Sequence, residues 1–310
     1  FAAMACLACR SFHKYVDCAV MNEVVWNISH GKGPITQLHE TQPIPANRSF
    51  WSCHFAPVLA LAAPLYRLWP SPCLSLSLQA LLVFGTAVPL YAVLRPRLGS
   101  RQALGLALAY LLYPATQHGM LRELHAFWAG PFVVGLWWAL GARRWGYATA
   151  FARLALACRE ELALVLAGVG LALLLTPGRR LAGLAILAGS LAWFALLVGH
   201  IMPSLGQAAG YHNYKFASLG STNAEIARTL LTRPLHAASL FLTADKLANA
   251  LVFLLPLAGL PLLGGRAALA ALPVFALLFL SDLTGTHSYL LYYPLAALPL
   301  RHPAAFQAQL

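Results

Sequence analysis

Of the 310 residues, 60% are hydrophobic and only 10% are charged, whereas an ordinary soluble domain carries about 25% charged residues. This composition excludes a water-soluble enzyme, and because apolar runs recur along the whole chain it also excludes a single anchor on a soluble domain. The formal net charge of +12 does not indicate nucleic-acid binding, because the cations lie singly or in pairs between apolar runs, as the positive-inside bias of membrane proteins predicts.

The N-terminal stretch FAAMACLAC is apolar but too short to cross a bilayer. We expect it to be the end of a truncated first helix. It lacks the charged leader and cleavage site of a removable signal peptide. Cys6 and Cys9 form a CxxC pair, but without a second pair the sequence predicts no zinc site there.

Apolar segments then follow one another as in a membrane bundle. They lie at about residues 72–94, 102–116, 124–141, 146–157, 162–175, 181–201, 247–263, 267–280 and 288–300. Segments of about 13 to 15 residues rise only about 20 Å as helices, so some must be half-spans or be extended by their flanks. The sequence therefore predicts an all-α transmembrane bundle of about ten spans or half-spans.

Arginines between these segments indicate the orientation. They fall on one side of the membrane if the segments alternate: Arg95, Arg97, Arg101, Arg143, Arg144, Arg179, Arg180, Arg266 and Arg301. We expect that side to be cytoplasmic, which places the polar stretches 10–70 and 202–246 at the outer face. Lys215 and Arg228, in the second stretch, are suited to attract phosphate, but solvated loop charges are the commoner case. Without a linker or a repeat, residues 1–310 are expected to form a single integral membrane domain.

Acidic residues are scarce and costly in a membrane, so each one is informative. Asp17 opens a segment whose valines and aromatic residues suit an amphipathic helix at the outer interface. Its carboxylate is a candidate general base for an attacking hydroxyl, and the alternative is a helix carboxylate paired with Lys14 or water. Glu23 lies six residues further along, turned away from Asp17. A paired-carboxylate site is therefore only weakly indicated, and Glu23 is kept as a candidate substrate contact.

Further polar residues lie at predicted outer boundaries. His54 begins a proline-broken apolar stretch typical of an interfacial helix. It is a candidate phosphate contact or acid, with a plain interfacial histidine as the alternative. Arg122, Glu123 and His125 combine a cation, an acid and an imidazole where an outer loop meets the next helix. Arg122 is suited to hold a phosphate or to pair with Glu123.

Arg159, Glu160 and Glu161 interrupt the apolar stretch between residues 146 and 175. Lipid does not tolerate three ionisable side chains, so they must face a cavity or one another. We favour a ligand site, and the alternative is an Arg–Glu pair that closes a hairpin.

The late stretch SDLTGTHSYLLYYPL places Asp282, His287 and Tyr292 near the same predicted outer face. Tyrosines at a membrane boundary usually form an aromatic belt, whereas Asp282 and His287 are placed to face the outer cavity. We keep His287 and Tyr292 as candidate substrate-binding residues.

Four ordered stretches carry a family resemblance: DCAVMNEVVWNISHGK, HFAPVLALAAPLYRLWPSPCLSLSLQALLV, AYLLYPATQHGMLRELHAFWAGP and CREELALVLAGVGL. They resemble the bacterial membrane protein family known as domain of unknown function 2079, over essentially the whole chain. The resemblance implies a relation to the GT-C glycosyltransferases, multispanning enzymes that transfer sugars from polyprenyl-phosphate carriers at the outer face. It also implies that Asp17 occupies the acidic position of the first outer loop, and that His54, His125 and Glu160 occupy other polar motif positions.

Two positions depart from the family pattern. Asn22 and Glu23 stand where an Asp/Gln-like pair is usual, which affects donor or acceptor contacts. Arg159 replaces a common lysine and keeps the charge, although the two side chains are not interchangeable at a shaped site.

These residues lead to the hypothesis of a GT-C-like glycosyltransferase. Asp17 is the general base, and Arg122 or Arg159 holds the carrier phosphate together with histidines. Glu160 or Glu161 shapes the cavity. The expected partners are membrane lipid and a polyprenyl-phosphate-linked sugar donor in the bacterial inner membrane.

No cofactor is indicated by the sequence. A divalent metal is compatible with the hypothesis but unsupported, since Asp17 with one helper is a poor cage for Mg²⁺ or Mn²⁺. The alternative function is that of a transporter or lipid-binding membrane protein, in which Arg159, Glu160 and Glu161 line a substrate path.

Overall fold

A computed structural model describes residues 2–11, 16–38, 49–122, 128–206, 212–255 and 269–288. Over these residues the chain is helical and contains no β-strand, apart from an isolated bridge between Ile35 and Ser49. The α-helices are α1 (Ala2–Arg10), α2 (Val16–Ser29), α3 (Ala63–Leu68), α4 (Pro72–Gly85), α5 (Ala87–Leu112), α6 (Pro114–Arg122), α7 (Gly130–Gly141), α8 (Trp145–Leu156), α9 (Leu162–Leu174), α10 (Arg180–Leu196), α11 (Met202–Ser204), α12 (Asn223–Thr232), α13 (Pro234–Ser239), α14 (Ala244–Leu254), α15 (Leu272–Leu280) and α16 (Thr284–His287). Short 3₁₀-helices lie at Phe50–Ser52, Pro57–Ala62, Asn213–Phe216 and Leu269–Ala271, and a π-helical turn lies at Leu197–Ile201. The predicted all-α class is confirmed.

Within the described ranges, two helical stretches are long and apolar enough to cross a bilayer. Pro72–Pro96 combines α4 with the first part of α5, and Arg180–Ser204 combines α10 with the turns that follow it; each has 25 residues. They coincide with the predicted segments 72–94 and 181–201. Shorter apolar helices, at Pro57–Leu68, Gly130–Gly141, Leu162–Leu174 and Leu269–Leu280, have the length predicted for half-spans. The total of about ten spans stays a prediction.

Helix α9 lies at the centre of the core, where eleven of its 13 residues are buried. Glycines let its neighbours approach on two sides. A Cβ at Gly168 would meet the Ala270 carbonyl oxygen at 1.8 Å, and one at Gly170 would meet the Leu187 backbone nitrogen at 2.4 Å. Such close backbone contact is typical of small-residue helix interfaces in membranes. The charged residues that precede α9 are therefore held inside the protein.

The connections before α8 and before α10 are short turns. α7 ends at Gly141 before α8 begins at Trp145, and only a short turn joins α9 to α10. In that turn Gly178 has a φ of 75°, a left-handed conformation that favours glycine. Arg179 Nη1 donates to the Leu140 carbonyl at 2.7 Å, where a cation also opposes the negative end of the α7 dipole.

The predicted break among Arg95, Arg97 and Arg101 takes the form of a kink. Helical backbone continues across this region, but Gly99 in the middle of α5 has φ 77° and ψ 166°, outside the helical region. Pro96 lies just before it and removes a helical hydrogen bond. The kink thereby separates the apolar stretch of α4 and the first part of α5 from the second part of α5. The arginines between the two predicted apolar segments had indicated a break at this place.

The polar stretches 10–70 and 202–246 contain several short helices. α2 confirms the helix predicted around Asp17, and its Val20, Val24 and Val25 are buried. It packs against α3 and the Pro57–Ala62 turn. This packing places α2 beside the segment that follows His54.

Candidate functional site

Three consecutive buried charged residues lie between the end of α8 and the start of α9. Arg159, Glu160 and Glu161 are 2%, 7% and 6% exposed, although such residues are rarely buried unless they are paired. The first amides of α9 donate to their carbonyls, beginning with Leu162 to Arg159 at 3.2 Å. The helix thus begins directly on the charged turn, and its dipole favours carboxylates at this end.

The two carboxylates have different partners. Arg159 Nε lies 2.9 Å from Glu161 Oε2 and 3.7 Å from Glu160 Oε1. His54 Nδ1 donates to Glu160 Oε1 at 2.8 Å, and the Phe55 amide donates to Glu160 Oε2 at 3.0 Å. The Arg–Glu pair considered from the sequence is therefore present as Arg159–Glu161, while Glu160 is directed towards the His54 segment.

A third segment, after α10, completes this cluster. His212 Nε2 donates to the Cys53 carbonyl at 3.2 Å, and its ring centroid lies 5.8 Å from that of His54. The Lys215 carbonyl accepts from Ser281 Oγ at 3.0 Å and from the Asp282 amide at 2.8 Å. The chain between α15 and α16 thus holds the Asn213–Phe216 turn against the charged residues.

Burial lowers the pKa values of two side chains in this third segment, His212 and Lys215. Burial, together with the nearby charge of Lys215, lowers the pKa of His212 to about 3, so its imidazole is uncharged at neutral pH. Burial and the charge of Arg159 lower the pKa of Lys215, and the carboxylates of Glu161 and Asp17 are among those that oppose this shift. Asp17 therefore acts electrostatically on Lys215, although it comes from a separate helix.

The cluster forms the polar part of a cavity of about 590 Å³. Arg159, Glu160, Glu161, His212 and Lys215 all contribute to its wall. Much of the remaining wall is apolar: Phe194, Ala195, Val198, Phe216, Leu219, Ile226, Leu230, Leu277, Leu278 and Leu280. Phe194, Ala195 and Val198 belong to the long apolar stretch Arg180–Ser204. A molecule with a charged group and an apolar body fits such a cavity, since each part meets groups of its own kind.

Comparison with known protein families decides the family of the chain. The family described as "Predicted membrane protein (DUF2079)" matches residues 15–306. The chain belongs to this family. No curated protein and no solved structure matches it. The family resemblance found in the four sequence stretches is thus confirmed, and with it the assignment to membrane proteins.

Four of the predicted site residues come together in the structure of this family member. His54, Arg159, Glu160 and Glu161 form one connected set of ion pairs and hydrogen bonds. Asp17 lies half-buried in the first turn of α2, within electrostatic reach of Lys215.

Two predicted residues make contacts of another kind. Glu23 Oε2 accepts from Thr36 Oγ1 at 2.5 Å and from the Gln37 amide at 3.1 Å, so it braces the turn that follows α2. The buried His287 donates from Nε2 to Asp245 Oδ2 at 2.8 Å. His287 is next to Thr286 in the cavity wall, and its substrate-binding role stays a prediction, as does that of Glu23.

The remaining candidates fall outside the described part of the molecule. Arg122 is the last residue of α6, but its side chain is not described. Glu123, His125 and Tyr292 lie in undescribed stretches. Their proposed contacts with substrate stay predictions.

Sequence reasoning missed His212, and for Lys215 it gave more weight to a solvated loop charge than to a phosphate contact. His212 and its partner Cys53 are 159 positions apart, so no local pattern joins them. Lys215 is half-buried in the cavity wall and is not a solvated loop charge. The only local signal is the mixture of aromatic and polar residues in GYHNYKF, which suits a cavity wall better than an open loop.

Proposed function

We propose that this chain is a membrane glycosyltransferase that takes a sugar from a polyprenyl-phosphate carrier at the outer face of the bacterial inner membrane. The observation that carries the proposal is the divided cavity, with the cations Arg159 and Lys215 in one part of its wall and mostly apolar side chains over the rest. A free sugar needs no such apolar wall. A lipid-linked sugar phosphate needs both parts.

Arg159 and Lys215 are suited to the carrier phosphate. Both cations contribute to the cavity wall, and cations beside phosphate oxygens form strong charge-assisted hydrogen bonds. Glu161 orients the Arg159 guanidinium through their 2.9 Å ion pair. The phosphate therefore meets one fixed guanidinium and one more flexible ammonium group.

Asp17 is the proposed general base. It accepts the proton of an acceptor hydroxyl while the hydroxyl oxygen bonds to the anomeric carbon of the sugar. The bond from that carbon to the phosphate oxygen breaks, and the electron pair leaves on the carrier phosphate. Arg159 and Lys215 then stabilise the charge that develops on the leaving phosphate. The influence of Asp17 on the pKa of Lys215 supports a position close to this reaction.

The membrane gives the carrier its route to the cavity. Phe194 and Val198 line the cavity and belong to the apolar stretch Arg180–Ser204, whose Leu181 and Leu184 are 85% and 52% exposed. With that exposed face towards lipid, a polyprenyl chain enters sideways from the bilayer. We propose that this helix is one of about ten spans of a GT-C-like, multi-pass bundle.

The test is transfer of labelled sugar from polyprenyl-phosphate donors by the purified chain in liposomes. Asp17→Asn is expected to lower the rate by about 10²- to 10⁴-fold, the usual contribution of a general base. Lys215→Ala is expected to raise the donor concentration needed for half-maximal rate. Glu225→Gln serves as the control, because Glu225 is exposed and outside the cavity wall.

Wild-type rates in Asp17→Asn would overturn the role of Asp17. A folded wild-type chain that binds polyprenyl phosphate but transfers no sugar would overturn the transferase and favour a transporter or lipid-binding protein. Liposome flux of the lipid-linked sugar, measured on the same preparation, separates those two.

A further inference from the structure

Two histidines and one carboxylate converge at the polar part of the cavity. His54, Glu160 and His212 each offer a ligand atom, and these atoms all lie within 4.8 Å of one another. His54 Nδ1 and Glu160 Oε1 are already 2.8 Å apart. In a tetrahedral zinc site with bonds of about 2.1 Å, ligand atoms are about 3.4 Å apart. Small side-chain rotations are enough to reach that spacing.

The hydrogen bonds around these residues fix which atoms remain for a metal. A backbone carbonyl only accepts, so His212 donates from Nε2 to the Cys53 carbonyl, and Nδ1 is the nitrogen of the neutral ring that has the lone pair for a metal. Glu160 Oε2 is held by the Phe55 amide, which leaves Oε1 as the ligand. Metal-binding histidines and carboxylates usually have such outer partners.

We propose that His54, Glu160 and His212 bind one Zn²⁺ ion. Two imidazoles and a carboxylate form a known ligand set of zinc sites that keep a fourth position open, whereas Mg²⁺ and Ca²⁺ favour oxygen ligands. Zinc takes the place of the proton between His54 Nδ1 and Glu160 Oε1, and the neutral His54 imidazole then carries its one proton on Nε2. Because Glu160 and His212 line the cavity, the open position faces it.

The charges nearby are compatible with a cation. Arg159 is 3.7 Å from Glu160 Oε1, but it is paired more closely with Glu161 at 2.9 Å. The Asp17 carboxylate favours the charged form of Lys215 electrostatically. Two cations thus stand against three carboxylates, and the added zinc makes the cluster positive, which suits an anionic ligand in the cavity.

This site shares its cavity with the proposed function but does not rest on sugar transfer. It differs from the sequence-based view, in which no metal ligands were recognised. If the chain binds zinc but transfers no sugar, the zinc site is supported and the transferase proposal is overturned. Sugar transfer by a chain that takes up no zinc in the titration removes the site and leaves the transferase in place.

The experiment is a zinc titration of the purified full chain in detergent after chelator treatment and gel filtration, with bound metal measured by mass spectrometry. The wild type is expected to retain about one Zn²⁺ per chain in the presence of excess Mg²⁺. His54→Ala and His212→Ala are each expected to weaken binding by about tenfold or more. His30→Ala is the matched control, since His30 is exposed and bonds only locally, to Ser29 and the Trp26 carbonyl.

X-ray absorption at the zinc edge tests the site without any variant. Nitrogen and oxygen neighbours at about 2.0 to 2.1 Å are expected. Sulfur neighbours at about 2.3 Å would place the ion on cysteines instead and overturn the proposal. A wild type that retains no zinc, or binding that is unchanged in both histidine variants, would overturn it as well.

Discussion

Helices α9 and α10 are neighbours with similar apolar composition and opposite surroundings. Eleven of the 13 residues of α9 are buried, whereas the buried residues of α10 are Gly183 and Ser190. The charges at their starts differ in the same way: Arg159–Glu161 are buried and Arg180 is exposed. Composition alone does not decide which helix is enclosed. The elements packed on several sides of α9 decide that α9 is the enclosed helix, and they also enclose the charged residues at its start.

The largest expected effect comes from breaking the charge pair at the start of α9. Glu161→Gln leaves the Arg159 guanidinium buried without its 2.9 Å partner, and the loss of one member of a buried pair costs about 3 to 5 kcal/mol. The thermal unfolding midpoint in detergent measures it. Arg180→Gln, at the exposed start of α10, is the control and should leave the midpoint nearly unchanged. Equal midpoints for both variants would contradict the difference between the two helix starts.

The same leucine truncation is expected to lower the stability of the protein much more in α9 than in α10. Leu166 in α9 is 2% exposed and Leu184 in α10 is 52% exposed. Leu166→Ala is expected to cost about 2 to 5 kcal/mol, because it leaves a cavity in the core, whereas Leu184→Ala should cost less than about 0.5 kcal/mol. Unfolding midpoints of both variants under one condition make the comparison. A larger loss in Leu184→Ala would show that another element covers the outer face of α10.

The smallest of the three effects concerns the glycines. Gly170→Ala brings a Cβ to 2.4 Å from the Leu187 backbone, and such overpacking costs about 1 to 3 kcal/mol. Gly189→Ala on α10 is the matched change, because a Cβ there meets nothing within 4 Å and alanine is the better helix former. We expect Gly170→Ala to lower the midpoint and Gly189→Ala to keep or raise it. The reverse order would place the contact between α9 and α10 elsewhere.

Much of the molecule follows from short-range sequence patterns. The apolar runs predicted helices at 72–94, 162–175 and 181–201, and the structure has helices there, since hydrophobic length and Gly or Pro turns act locally. Charged residues are rare inside apolar stretches, and this rarity by itself indicated a site at Arg159–Glu161. The family match over residues 15–306 agrees with the membrane assignment that composition alone required.

Tertiary structure alone decided which residues share the site. The Arg–Glu pair and the ligand site were alternatives in the sequence. The fold forms the pair between Arg159 and Glu161 and directs Glu160 to His54, and the ligand site stays a prediction. His212 joins them from 159 positions beyond its partner Cys53, a separation that no periodicity records. Composition and spacing determine that a chain enters the membrane as helices. Each segment must bury its apolar surface and pair its own backbone N–H and C=O groups, and both requirements are local. Contacts between distant segments depend on how the helices pack, and only the assembled core determines them.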